Sequence, residues 1–204
     1  MKAVKNAKPS KIKLLVPALI AVALSSAYAS TFNVPSGTTD TQTGLNETDR
    51  TYKKGDGTLV VNGTSTFKTM TVEAGTMKFS GGTATIADST ATGAYGTAMF
   101  VQSGGNTIIA DGATVTAKDG TYFNVNNGTF TVTNATFDSS GIAGDMMNAF
   151  DGSTSYCWVN IETNGVLKTT RLRPTGGGGV ELQQGECRRK AEQGWRTVSQ
   201  MLLD

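Results

Sequence analysis

Apolar side chains along residues 76–132 come in pairs separated by one residue: Met77 and Phe79, Ala84 and Ile86, Val115 and Ala117, Phe123 and Val125, Phe130 and Val132. A period of two places both members of a pair on one side of an extended segment, so each pair predicts a short strand with one apolar face. Gly, Asn and Asp punctuate these segments, as tight turns require. The recurring dipeptide is Gly-Thr, at Gly57-Thr58, Gly63-Thr64, Gly75-Thr76, Gly82-Thr83, Gly96-Thr97, Gly120-Thr121 and Gly128-Thr129. Glycine takes the positive φ of a sharp turn, and threonine opens the strand that follows.

The strands themselves recur. Val115, Phe123, Phe130 and Phe137 follow one another at intervals of eight, seven and seven residues, so three strands with their turns occupy about 22 residues. One such coil cannot bury its inner face alone, whereas stacked coils build a continuous core. An antiparallel sandwich is the structural alternative. Its turns are usually 8 to 12 residues apart, longer than the spacing here, and Thr supplies about a fifth of residues 30–170, a composition suited to ladders of like residues. The expected fold is therefore all-β, a parallel β-solenoid over residues 55–170. Phe123 and Val125 are expected to point inward. Asn124 is expected on the opposite, solvated side, where Asn124→Asp would be nearly neutral.

The first 29 residues have a separate logic. Lys2, Lys5, Lys8, Lys11 and Lys13 precede an apolar run over 14–24, and Ala27-Tyr28-Ala29 follows. This is the pattern of a secretory signal peptide cleaved after Ala29. The run contains Pro17 and is about half the length of a membrane span, so no transmembrane segment is expected in the mature chain. Residues 30–54 are polar and read as a linker or N-terminal cap.

Setting that segment aside changes the charge. The formal net charge is +2, yet residues 30–170 hold seven Lys and Arg against twelve Asp and Glu. Nucleic acid loses the basic footprint it needs. The chain has no histidine, which removes the commonest general base and the usual nitrogen ligand of zinc. Cys157 and Cys187 lie in a chain expected in an oxidising compartment. A disulfide between them and two unpaired thiols both remain open.

Gly57-Thr58-Leu59-Val60-Val61-Asn62-Gly63, continued by Thr71-Val72-Glu73-Ala74-Gly75-Thr76-Met77-Lys78-Phe79-Ser80-Gly81, resembles the passenger-associated repeat of bacterial autotransporters, the type V secretion proteins. Met77 stands where that repeat usually has Leu, and residues 64–70 lack its middle glycine. The resemblance implies a right-handed parallel β-helix, exported and displayed at the cell surface or released outside it. It also implies binding of host-surface ligands or self-association, and a C-terminal β-barrel in the same polypeptide. Barrel strands of about ten alternating residues are not legible after Thr170, so the chain is expected to be a truncated passenger, periplasmic if it is the real product. Residues 171–204 carry Arg171, Arg173, Pro174 and a glycine run, then exchange Thr for Gln, Glu and Arg. They are read as an irregular, non-repeat tail, frameshifted or disordered, with a linker and a short helix over 180–203 as the alternative.

Catalysis is not expected, and neither catalytic, cofactor-binding nor metal-binding residues are assigned. Polysaccharide lyases and hydrolases also use β-helices, so a secreted carbohydrate-active enzyme is the contrasting function. Asp88, Asp111, Asp119, Asp138, Asp145 and Asp151 are its candidate carboxylates, and turn formation is the stronger reading for most of them. Pectate lyases of this architecture use an arginine base, and Arg is absent between Arg50 and Arg171. Gly144-Asp145 and Asp151-Gly152-Ser153 read as loops, and Asp111-Gly112 and Asn127-Gly128 as turns rather than calcium sites. Phe100, Tyr122 and Trp158 read as core residues rather than a carbohydrate-binding face. The expected function is a non-enzymatic, adhesin-like exported solenoid.

Overall fold

The computed structural model describes residues 29–87, 98–118, 122–142, 146–147, 157–169, 172–173, 179–182, 186–191 and 194–198. These residues form strands and turns in two sheets, with no helix. None of them forms a helix long and apolar enough to cross a membrane.

The chain enters through β1 (Ser30–Asn33) and then repeats a circuit: one strand in a seven-stranded sheet, then one or two in a thirteen-stranded sheet. The first circuit is β2 (Thr39–Thr43) and the long β3 (Asn46–Lys54), and the second is β4 (Thr58–Asn62) and the long β5 (Thr64–Val72). The third is β6 (Thr76–Ser80), β7 (Thr83–Ala87) and β8 (Ala98–Gln102), and the fourth β9 (Asn106–Ala110), β10 (Thr114–Lys118) and β11 (Tyr122–Val125). The fifth is β12 (Gly128–Val132), β13 (Thr136–Gly141) and β14 (Met146–Met147), and the sixth β15 (Cys157–Ile161), β16 (Val166–Thr169) and β17 (Leu172–Arg173). The last comprises β18 (Gly179–Leu182), β19 (Glu186–Ala191) and β20 (Gly194–Val198).

Apart from β17 and β20, each strand pairs in parallel with a strand of the next circuit where one follows. The seven-stranded sheet runs β2, β4, β6, β9, β12, β15, β18. In the other sheet, the first half of β5 pairs with β7 and its second half with β8, so this sheet has two limbs that meet in β3 and β5. Strands opening successive circuits start between 18 and 30 residues apart. The predicted repeat of about 22 residues is met in the fourth and sixth circuits, while the third and fifth are longer.

The alternation read from the sequence fills the interior. Val61, Phe79, Ile109, Val132 and Ile161 form one in-register buried column of the seven-stranded sheet. Ala84, Val115, Phe137 and Leu167 form another on the opposing limb. Phe100 and Phe123 stack with centroids 4.0 Å apart and planes within 1°. Phe137 meets Phe123 at 4.7 Å and Phe130 at 5.1 Å. Each such side chain contributes about 1.5–3 kcal/mol by burial, and each aromatic pair about 0.5–1.5 kcal/mol more.

Glycine explains how circuits approach at their corners. At Gly128, φ is +83° and an added Cβ would lie 1.8 Å from the carbonyl oxygen of Gly105; at Gly82, φ is +69° and the Cβ would lie 2.3 Å from the oxygen of Gly63. The Gly-Thr dipeptides that fall on described residues sit at these corners. Gly96 and Gly120 lie outside the described residues.

Three expectations need correction. Residues 30–54 are not an irregular linker: β1 pairs with β3, β3 with β5, and β2 with β4. Their strands are polar because an outermost circuit gains its order from backbone pairing and covers little apolar surface. The tail is not irregular where it is described, and its described residues between 179 and 198 form strands rather than a helix. β18 and β19 extend the parallel pairing of β15 and β16, and β20 folds back antiparallel on β19. Asn124, expected on the solvated side, is 0% exposed, and neither of its amide atoms has a hydrogen-bond partner among the described residues. The position is not solvated.

A second buried polar residue lies at the corner between β3 and β4. Lys53 is 1% exposed and occupies a column that runs Phe32, Lys53, Val72, Gln102, Val125. Its Nζ donates to the carbonyl oxygens of Lys54 at 3.0 Å, Gly55 at 2.7 Å and Ala74 at 2.9 Å, joining the turns of two circuits. Gln102 repeats the device: its Nε2 donates to the oxygens of Gly105, Asn127 and Thr129. Burial pushes the Lys53 ammonium below its usual pKa, and the nearby Asp56 carboxylate opposes this in part.

Two outcomes follow. Phe123→Asp should cost about 4 kcal/mol or more by placing a charge in the aromatic stack. Asn124→Asp should cost about 3 kcal/mol at neutral pH, because the new carboxylate has no partner, and should recover on acidification. Urea midpoints measure both, and an unchanged midpoint for Asn124→Asp would mean that its site is wet. For Lys53, unfolded chains bind the proton up to the ordinary pKa of 10.5 while the folded chain releases it earlier. Stability should therefore rise with pH just below that value. The thermal midpoint of the native protein, minus that of Lys53→Met, should increase as pH is raised from about 8 to about 10.5. A flat difference would refute the desolvated lysine.

Candidate functional site

The outer side of the seven-stranded sheet gathers the most varied exposed chemistry among the described residues. Strand parity generates it. Because Val159, Ile161, Phe130 and Val132 take inward positions, their alternating neighbours Trp158, Asn160, Thr129 and Thr131 must face out. Parallel register then aligns them in rows. Thr58, Thr76, Asn106, Thr129 and Trp158 make one, and Val60, Lys78, Ile108, Thr131 and Asn160 the next. Rows of hydroxyls and amides bond across strands, as where Thr43 Oγ1 donates to Asn62 Oδ1 at 2.5 Å.

Asp111 anchors one part of this side. It occupies a turn after β9 with φ +55°, followed by Gly112 at +78°, as the turn reading of Asp111-Gly112 expected. Its Oδ2 accepts from Lys78 Nζ at 2.7 Å and from Ser80 Oγ at 2.6 Å. The Lys78 hydrogen bond, then that of Ser80, holds the Asp111 carboxyl below its ordinary pKa. Lys78, Ser80 and Asp111 thus group an ammonium, a hydroxyl and a carboxylate, but the arrangement does not activate a nucleophile. A carboxylate stabilised as the anion is a weak base toward serine. The cluster ties the third circuit to the fourth.

The other predicted carboxylate on described residues, Asp138, does not join it. Asp138 lies in the thirteen-stranded sheet, where its Oδ1 accepts from the Ser140 backbone N–H at 3.0 Å and hydroxyl at 2.5 Å. Its Oδ2 lies 3.9 Å from Lys168 Nζ. Asp88, Asp119, Asp145 and Asp151, with Gly144, Gly152 and Ser153, fall outside the described residues. Asn127 Oδ1 accepts the Gly128 backbone N–H at 2.9 Å, and Gly128 has a positive φ of +83°, consistent with the turn reading of the pair. Among the described residues no three His, Cys, Asp or Glu side chains gather where they could hold a metal ion.

The aromatic residues separate. Phe100 is in the core, as read from the sequence. Trp158 is not: it is 45% exposed on the outer side of β15, which corrects its assignment to the interior. The alternation of Cys157, Trp158, Val159, Asn160 and Ile161 carried that signal, with two β-branched residues claiming the inner positions. The Tyr122 side chain lies outside the described residues. Cys157 pairs by backbone register with Gly128 in one sheet and Cys187 with Leu167 in the other, and neither thiol is among the described side chains.

Compared with known proteins, the chain matches no family model, no curated protein and no solved structure.

The Asp111 contacts carry a direct test. In a carbon-detected NMR titration, the Asp111 carboxyl should titrate below an ordinary aspartate, and Lys78→Met should move its midpoint upward. An Asp111 midpoint unmoved by Lys78→Met would show that the ion pair does not form in solution.

Proposed function

We propose that this protein is an exported, non-enzymatic parallel β-solenoid of the autotransporter passenger type, with an adhesin-like binding role. The signal-peptide pattern over residues 1–29 supports export, with Ser30 as the mature N-terminus. The repeated circuit supports a right-handed parallel β-helix, and the resemblance of residues 57–63 and 71–81 to the passenger-associated repeat supports the family. One observation carries the binding role: the two sheets bury their apolar columns inward and display in-register rows of Thr and Asn outward. Such rows make a rigid, extended surface with repeated hydrogen-bonding groups, suited to holding a partner rather than to turning over a substrate.

The reading predicts that the chain, expressed in a Gram-negative host, is recovered from the periplasm or beyond with Ser30 at its N-terminus. Beads coated with the mature protein should adhere to epithelial monolayers or to one another. Retention in the cytoplasm with residues 1–29 intact would overturn the export reading, and inert beads the adhesin reading. Release of reducing or unsaturated ends from a polysaccharide panel, lost in Asp111→Asn or Asp138→Asn, would establish the enzyme instead.

A further inference from the structure

We infer that the outer side of the seven-stranded sheet around Trp158 binds a neutral pyranoside chain. The inference rests on the adhesin-like reading and supplies the chemistry of its ligand.

Trp158 is the only large hydrophobic side chain exposed among the described residues. It is the second residue of β15 and precedes the buried Val159 in the alternation that turns Val159 and Ile161 inward. On the preceding circuit its neighbour is Thr129, and on the following one it is Gly179, which has no side chain. Neither register neighbour carries a large side chain, and the indole is 45% exposed. An exposed indole offers a flat apolar face and an N–H donor. That combination fits the two surfaces of a pyranose, whose axial C–H groups form an apolar face and whose rim carries hydroxyls.

The polar groups around the indole match the rim. Asn160 is two residues farther along the same side of the strand, about 7 Å away. Its Oδ1 is shielded from solvent and has no hydrogen-bond donor, an unmet acceptor that a sugar hydroxyl can satisfy once the half-buried amide turns outward. Thr131 adjoins Asn160, and Asn106 adjoins Thr129, each on the neighbouring strand. Strands repeat about every 4.8 Å across the sheet, so a glycan lying across them meets a hydroxyl or amide at each step.

Charge selects among glycans. Trp158, Asn160, Thr129, Thr131 and Asn106 are all uncharged. In the row of Asn160, the lysine three strands away, Lys78, is committed to Asp111, and Glu181 occupies the register position on the following circuit. Uncharged side chains in these rows suit a neutral or N-acetylated chain better than a polymer of uronic acids.

The test is isothermal titration calorimetry of the mature protein with cellohexaose, maltohexaose and chitohexaose, and with polygalacturonate as the acidic probe. At least one neutral hexasaccharide should bind. Trp158→Ala should weaken that binding about tenfold or more, and Trp158→Phe should retain most of it. Thr131→Arg, which crowds the site from the next strand, should also weaken it, whereas Thr85→Ala on the other sheet should not. All variants change outward positions, and unchanged β-sheet circular dichroism will verify their folds. Binding that survives both Trp158→Ala and Thr131→Arg, binding of polygalacturonate alone, or no binding of any neutral probe would each overturn the inference. Coated beads that adhere although no hexasaccharide binds would leave the adhesin reading standing and remove only this ligand. Trp158-dependent hexasaccharide binding by beads that do not adhere would do the reverse.

Discussion

Everything in this fold depends on one backbone contact: the approach of successive circuits at the corner between the two sheets. Gly105 and Gly128 stack there so closely that a methyl group has no room, and their positive φ turns the chain without a side chain to deflect it. That approach sets the parallel register, and the register in turn places Phe123 upon Phe100 and Thr131 beside Asn160. The interior columns and the exterior rows are two results of the same corner.

Corner carbonyls also create a need that the interior meets unusually. Turns carrying several glycines leave carbonyl groups aimed inward, where unsatisfied acceptors cost about 1–3 kcal/mol each. Lys53 and Gln102 meet that need from within, each donating to three carbonyls across two circuits. Val72, between them in the column, has no such capacity. Polar residues in this column are therefore ties between turns, not defects in the core.

Much of this was legible in the sequence where a residue's type and its position agreed. Met77 with Phe79 and Val115 with Ala117 announced their inner faces by alternation, and the Gly-Thr pairs marked corners. The reading failed where order comes from pairing alone. Thr-Asp-Thr-Gln-Thr of β2 has no apolar residue to advertise it, and the β3 and β5 strands serve both limbs without a turn signal. Lys53 was hidden because a lysine inside a solenoid needs carbonyls from a circuit about 20 residues away. Asn124 was expected in water from strand parity, but parity does not say what covers a position. Trp158 was the opposite case: its neighbours Val159 and Ile161 stated its orientation, and the usual burial of aromatics outweighed them. Of the candidate carboxylates, the two on described residues are not paired: Asp111 lies in the turn after β9 and Asp138 in the thirteen-stranded sheet.

The unequal circuits bear on how such a gene can drift. The third and fifth circuits span more residues than the others, and the strands after them pair as before, as β8 with β5 and β15 with β12. A codon gained or lost inside a strand has a different fate. It would turn the rest of that strand inside out, sending threonines into the core and phenylalanines into water. Insertions and deletions in this lineage should therefore accumulate between strands and be purged within them, so that the chain changes length by whole loops while its rows of threonine remain aligned.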